Sequence, residues 1–368
     1  MSSRMRKSLG RLGRLGAGGL IVASFAACGD ETGTGVAGQP LCDLDTDLLS
    51  SNLPPNAIPA LTEPPMVSPD DPTVDYLLDG DRVLGVVVDG EARAYPHNVF
   101  WWHEIVNDRI GDRWISVTFC PLTGSGLGFD SELEGFGRLD LGVSGLLFAN
   151  NLVMYDRTSG AVYGPQLRVE GACDAFQARS LDLVAVQEMS WGRWKALHPE
   201  TLVVTGDLRR GRNYRQYPYG SYANLSSDEL LVPMAVDRSR PLKERVLAIR
   251  VGDGGRGYPF LELAELGSVV AVHETVGGVP TVVFFDEADG AAALAYDRRV
   301  ADRTLTFEAD TEAGVWMDAE TGSTWTLGGQ AIDGPLSGER LQPREDAYTV
   351  FWFAWRHFQP SGDVFDAG

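Results

Sequence analysis

Cys120, followed by Pro121-Leu122-Thr123-Gly124, is the residue of this chain best suited to chemistry. It ends a β-prone run, Trp114 to Phe119, and precedes a tight turn. A thiol at a strand end is accessible to a partner, and it becomes a nucleophile or ligand once its pKa falls below ~8.5. The alternative is a buried thiol acting as a small apolar side chain. His103 and Glu104 lie on a short predicted helix, where helical spacing sets His103 beside Asn107 and Glu104 beside Asp108. A carboxylate pair so spaced holds a cation or shares a proton, or else forms a solvated face. His103 with Cys120, joined by His97, would make a mixed nitrogen–sulfur metal site suited to zinc or copper, though the spacing is no recognised ligand signature. The candidate catalytic residues are therefore Cys120, His103 and Glu104, and the candidate metal ligands Cys120 and His103. Tyr95, His97, Asn107, Asp108 and Thr123 would shape the site. The chain has no Gly-x-Ser-x-Gly elbow, phosphate-binding loop or dinucleotide fingerprint.

The elements that must position these residues are mostly strands. Val83 to Val88 and Glu91 to Tyr95 flank Asp89-Gly90, a strong hairpin signal. Trp114–Phe119, Leu139–Val143, Leu152–Tyr155 and Ala161–Tyr163 follow as further strands, and Pro-rich 54–72 reads as an extended approach without regular elements. Helices are few: Val99 to Val106 capped by Asn98, Ser190 to Leu197 before Pro199, and Phe351 to Phe358 before Pro360.

The chain also repeats itself. Tyr95-Pro96, Asp156 with Gly160, and Trp191-x-x-Trp194 return as Tyr258-Pro259, Asp318 with Gly322, and Trp352-x-x-Trp355, at offsets of 163, 162 and 161 residues. A period this long predicts two copies of one domain rather than a solenoid. The expected fold is mainly β (α+β): two tandem homologous antiparallel β domains, each with one or two short helices. The first copy spans about 75–205 and the second 246–368, with a Tyr-rich connector at 206–245. The second copy lacks the cysteine and histidines of the first, which points to a site in the first. Asp156 and Asp318, shared by both, suit a scaffold role such as an Asx turn. The connector tyrosines, Tyr214, Tyr217, Tyr219 and Tyr222, either line a ligand groove or pack across the junction.

The N-terminus reads as a targeting segment. Arg4, Arg6, Lys7, Arg11 and Arg14 precede the apolar run Ala17–Ala27, which is too short for a spanning helix. It ends at Ala26-Ala27-Cys28 and looks like a bacterial lipoprotein signal over 1–27, with Cys28 lipidated and 28–74 a flexible, then Pro-rich, tether. This predicts a bacterial cell-envelope protein, lipid-anchored outside the cytoplasm. Five of the 31 basic residues lie in that segment, leaving 26 against 51 acidic ones, a net charge of −25. Such a surface repels phosphate backbones, which argues against nucleic-acid partners. Cys42 and Cys173 are expected to pair, leaving Cys120 free.

The runs Ala92-Arg93-Ala94-Tyr95-Pro96, Trp102-His103-Glu104-Ile105-Val106-Asn107-Asp108, Val117-Thr118-Phe119-Cys120-Pro121-Leu122, Val143-Ser144-Gly145-Leu146-Leu147 and Leu152-Val153-Met154-Tyr155-Asp156-Arg157 are similar to bacterial domain of unknown function 3179. Thr321-Gly322-Ser323-Thr324-Trp325 and Phe351-Trp352-Phe353-Ala354-Trp355 add to the resemblance, which covers roughly 58–365. Members of that family often carry Cys-Pro-Leu-Cys, sometimes with selenocysteine. The resemblance thus implies thiol or selenol redox chemistry, or a soft-metal site, and adds Ser144 to the residues that would shape it. Here Thr123 replaces the second cysteine, so a disulfide cycle within the motif is unavailable. The leading expectation is a thiol-centred redox or metal site at Cys120 and His103. The alternative is a non-catalytic module that binds a small molecule or an envelope partner in the groove between the copies.

Overall fold

The structure, a computed structural model, describes residues 43–51, 53–172, 175–208 and 210–368. Cys28 and its signal, and the pairing expected of Cys42 with Cys173, lie outside the described residues. Among the described residues no helix is long and apolar enough to cross a membrane.

The Asp89-Gly90 pair turns the first hairpin with positive φ at both residues, 50° and 85°, the geometry that follows the twist of two paired strands. Its strands, Arg82–Val88 and Glu91–Pro96, lie between Gln187–Ser190 and Leu202–Val204, with Leu202–Val204 running parallel to Glu91–Pro96. A second sheet holds Ile105–Ile110, Arg113–Cys120 and Ser125–Asp130 as an antiparallel meander, and a third pairs Leu141–Phe148 with Asn151–Asp156 and Val162–Pro165. The fold is mostly β with several antiparallel sheets, as expected. The Pro-rich approach does contribute strands: Leu61–Thr62 joins the second sheet and Met66–Val67 the first.

The second half shows the same succession. Arg245–Val251 and Gly254–Pro259 form a hairpin flanked by Ala347–Phe351 and, in parallel, Asp363–Val364. Arg93 and Tyr95 both bond Asp108 Oδ2, at 2.6 and 2.8 Å, while Arg256 and Tyr258 converge on Glu274 at 2.6 and 2.5 Å. Asp156 accepts the Ser159 N–H and hydroxyl, and Asp318 accepts the Thr321 N–H and hydroxyl. Both aspartates thus close local turns.

Among the described residues, four seven-residue α-helices accompany the strands: α1 His97–His103, α2 Trp191–Leu197, α3 Phe260–Leu266 and α4 Trp352–Phe358. Ser190 caps α2 by accepting the Arg193 N–H at 3.3 Å. The expected helix from Val99 to Val106 is displaced. It starts directly after Pro96, and Asn98 spends its amide on Asp81 and the Tyr214 carbonyl instead of capping. It also stops early, because Glu104 takes φ 56° and the chain continues as a strand. Asn107 and Asp108 therefore fall on opposite faces of a strand, and the helical pairing of Glu104 with Asp108 does not form. Helix α3 follows Tyr258-Pro259 as α1 follows Tyr95-Pro96 and was not anticipated.

The described residues form one compact unit. One hydrophobic cluster joins Val83, Tyr95 and Trp194 to Phe284, Trp316 and Trp325, and a second joins Leu127, Leu141 and Met154 to Val350 and Trp355.

Candidate functional site

The Cys-Pro-Leu-Thr-Gly turn connects strands Arg113–Cys120 and Ser125–Asp130, with Cys120 directly opposite Ser125. Gly124 takes φ 58° and packs so closely on Phe351 that a Cβ there would lie 2.6 Å from the ring. The Phe351 N–H donates to the Thr123 carbonyl at 2.8 Å, and the Tyr222 hydroxyl donates to the Leu122 carbonyl at 3.0 Å. The second half and the connector thus both grip this turn.

Its side chains divide between two environments. Cys120 and Thr123 point into the interior. Cys120 is 1% exposed, and its S–H donates to the Asn150 carbonyl at 3.6 Å. Burial, reinforced by neighbouring Glu104, pushes the thiol up to about 11, against the Thr123 hydroxyl and N–H and the Leu152 N–H. Thr123 belongs to a neutral network: its hydroxyl shares a 2.8 Å bond with Ser125 and accepts from Asn151, and Gln166 accepts from both Ser125 and Asn151. Burial also pushes Glu104 up to about 8, so both Glu104 and Cys120 hold their protons at neutral pH.

His103 is engaged elsewhere. Its Nδ1 lies 2.8 Å from the Pro59 carbonyl and its Nε2 2.8 Å from the Tyr214 hydroxyl. The carbonyl can only accept, so Nδ1 carries the proton and Nε2 accepts from Tyr214. Burial lowers this imidazole to about 4 against the Pro59 carbonyl, with Arg210 and Arg212 adding to the shift. Neither nitrogen is free to serve Cys120. Among the described residues no group of three or more His, Cys, Asp or Glu side chains could hold a metal ion. Among the described residues, Cys120 and His103 therefore do not form a zinc or copper ligand set. Tyr95 and Asp108 bond one another, Asn107 ties Ser116 to Leu141, and the Ser144 hydroxyl donates to the Val153 carbonyl at 2.6 Å. These four brace the sheets.

The other face of the turn, Phe119, Pro121 and Gly124, lines a pocket of about 450 Å³ between the halves. His97, Arg82 and Glu188 line it from the first half, Tyr217 and Leu225 from the connector, and Arg245, Phe260, Leu261 and Phe351 from the second. Lys243 and Glu244, which close the connector, complete the wall. His97 stacks on Phe119 with ring centroids 3.9 Å apart, and burial, aided by Arg82, holds it neutral. Its Nε2 is 3.6 Å from Glu188 Oε1 and makes no hydrogen bond. Arg82 pairs with that same Glu188 oxygen at 2.6 Å, which leaves Oε2 unpartnered.

Lys243 is 2% exposed, and its Nζ has no hydrogen bond. The ammonium instead lies 3.6 Å from the Tyr222 ring centre and 4.5 Å from that of Phe353. Burial lowers it to about 7, opposed by Glu229, Asp228 and Cys120. Glu244 is raised by burial against Arg240, and its Oε2 is also unpartnered. Arg245 donates to the carbonyls of Gly290 and Ala291, stacks 4.4 Å from the Phe260 ring centre, and has no carboxylate partner among the described residues.

The model of a family described as a protein of unknown function, DUF3179, matches residues 55–362. The chain belongs to that family. No curated protein and no solved structure matches it. Of the expected site residues, the fold brings Cys120, Thr123 and Glu104 together behind the pocket wall and places His97 in the wall itself. Lys243, Glu244, Arg245, Arg82 and Glu188 were missed. One signal was available for Lys243: the sequence has only three lysines, Lys7, Lys195 and Lys243. The others are brought to the pocket by long-range strand pairing, which no local motif announces.

Proposed function

We propose that this protein is a ligand-binding module of the cell envelope, tethered through Cys28, that holds a small organic anion with an apolar body between its two halves. The observation that carries this reading is the gathering of His97, Glu188, Lys243 and Glu244, each with an unpartnered buried polar atom, in one apolar pocket. Leaving such atoms without partners costs about 1–3 kcal/mol each; an anion offsets that cost at Lys243 Nζ, while the Glu188 and Glu244 oxygens accept and would take a donor on the same ligand. Pockets of roughly this size, apolar with a few convergent polar groups, are where small molecules bind.

The charge balance supports an anion. Arg82 is neutralised by Glu188, but Arg245 has only carbonyl partners and Lys243 only aromatic ones. Leu225 and Leu261, 48% and 44% exposed, give the lining its apolar surface and favour a ligand with a hydrophobic body. The reading centred on Cys120 has less support, because that thiol is enclosed, protonated and without a free base. The repeated hairpin and Arg–Tyr–carboxylate cluster support taking the halves as copies of one unit, with the pocket at their junction.

Calorimetric titration tests the proposal with benzoate, benzyl alcohol and benzylammonium as probes. Benzoate should bind best, Arg245→Gln should weaken it about tenfold or more, and Ala223→Trp, at an exposed lining position, should abolish it. Equal binding of the cation, or benzoate binding unaffected by Ala223→Trp, overturns it.

A further inference from the structure

The scarcity of lysine gives Lys243 its interest. Arginine supplies nearly all of the positive charge, 28 of 31 basic residues. Lys195 sits on α2, about one-third exposed, and pairs with Asp79 at 2.8 Å. Lys243 is enclosed, lacks any ion pair among the described residues, and lines the pocket beside Glu244 and Arg245. Arginine would serve equally to hold a cation over aromatic rings, since its guanidinium stacks well on them. What arginine cannot do is give up its proton and present a nucleophilic lone pair.

We propose that Lys243 is the reactive amine of this pocket and that it takes an aldehyde or ketone bearing an anionic group, held as an imine. The inference rests on the pocket being a site for small organic anions. The Nζ lone pair adds to the carbonyl carbon while the carbonyl π bond breaks, and a proton passes from nitrogen to oxygen. The carbinolamine hydroxyl then leaves as water, taking the second proton from the same nitrogen as its carbon–oxygen bond breaks and the carbon–nitrogen double bond forms. No electrons enter or leave. Arg245, which lines the same wall without a carboxylate partner among the described residues, is the cation left to receive the anion. The amine is prepared for addition because burial lowers it to about 7, with Asp228, Glu229 and Cys120 opposing the shift.

The test uses the full mature chain, para-formylbenzoate as probe and sodium cyanoborohydride to reduce the imine, followed by peptide mass mapping at pH 7. Lys243 should be labelled at least about tenfold faster than Lys195, the more accessible amine, and benzoate should block the labelling. Lys243→Arg, and Lys243→Met if the larger side chain prevents folding, should lose the label, since neither carries a nucleophilic amine. In wild type the comparison with Lys195 stands without either variant. If benzoate binds but Lys243 reacts no faster than Lys195, the imine is overturned and the pocket stands. Rapid labelling that benzoate does not block overturns the proposal too, since the amine then reacts outside a ligand-filled pocket. Absence of both labelling and benzoate binding overturns the pocket itself.

Discussion

Glu104 shows how a single enclosed carboxyl can make the stability of a fold depend on pH. It ends α1 with φ 56°, and its carbonyl accepts the Phe119 N–H at 2.8 Å, which fixes the side chain in the interior near Cys120. Burial raises its carboxyl from 4.5 to about 8. Between those values the folded chain keeps a proton that the unfolded chain has released. Stability from this group is therefore full below pH 4.5, falls as pH rises towards 8, and is flat beyond. Glu104→Gln keeps the shape without the ionisation. The variant should be more stable than wild type at pH 8, by on the order of 2–4 kcal/mol, and the difference should vanish near pH 4. Urea midpoints of both proteins between pH 4 and 8 measure this. A gap that does not change with pH would mean that Glu104 ionises freely in the fold. Lys243 titrates in the opposite sense, but it is common to both proteins and cancels in the difference.

At the scale of elements, the close approaches set by glycine decide how helices sit on strands. A Cβ at Gly85 would lie 2.1 Å from the Trp194 ring, and one at Gly257 would lie 2.6 Å from Trp355. Each helix carrying the double-tryptophan repeat is thus seated on a glycine of the adjacent hairpin. Gly85→Ala should destabilise by about 2–3 kcal/mol, because Trp194 is fully buried and held by its bond to Thr201. Gly80→Ala, where a Cβ meets nothing within 4 Å, should change little; equal urea midpoints for the two variants would sink this account. These elements were legible in the sequence because their signals are local: the Asp-Gly turn, Pro199 and Pro360 just beyond the two double-tryptophan helices, and the β-prone runs. The end of the first helix was not. Glu104 to Val106 carries no helix breaker, and it becomes strand because its β-branched Ile105 pairs with Thr118. His103 and Cys120 looked like partners for the same reason. Their types suit each other, but Pro59 and Tyr214 reach His103 first, and neither contact leaves a mark in local sequence.

For the whole molecule, the two halves share more than a boundary. Each of the two largest hydrophobic clusters draws side chains from both, and polar links cross between them: Gln187 donates to the Tyr296 hydroxyl at 2.9 Å, and Arg193 pairs with Asp286 at 2.6 Å. The Phe351 N–H completes the motif turn by donating to Thr123. A fragment ending at residue 205 would lack Phe284, Trp316 and Trp325, which share a cluster with Val83, Tyr95 and Trp194, and would leave the turn's backbone acceptor without its donor. The halves should therefore unfold together. Scanning calorimetry of the full mature chain should give one transition whose calorimetric and van't Hoff enthalpies agree, and residues 43–205 alone should not fold cooperatively. Two resolved transitions, or a cooperatively folding fragment, would show instead that each half carries a self-sufficient core. The same coupling bears on the pocket. Its walls come from both halves, so a ligand bound there stabilises their association as well as each half. Benzoate should then raise the single transition as a whole, by an amount that grows with the logarithm of its concentration above Kd.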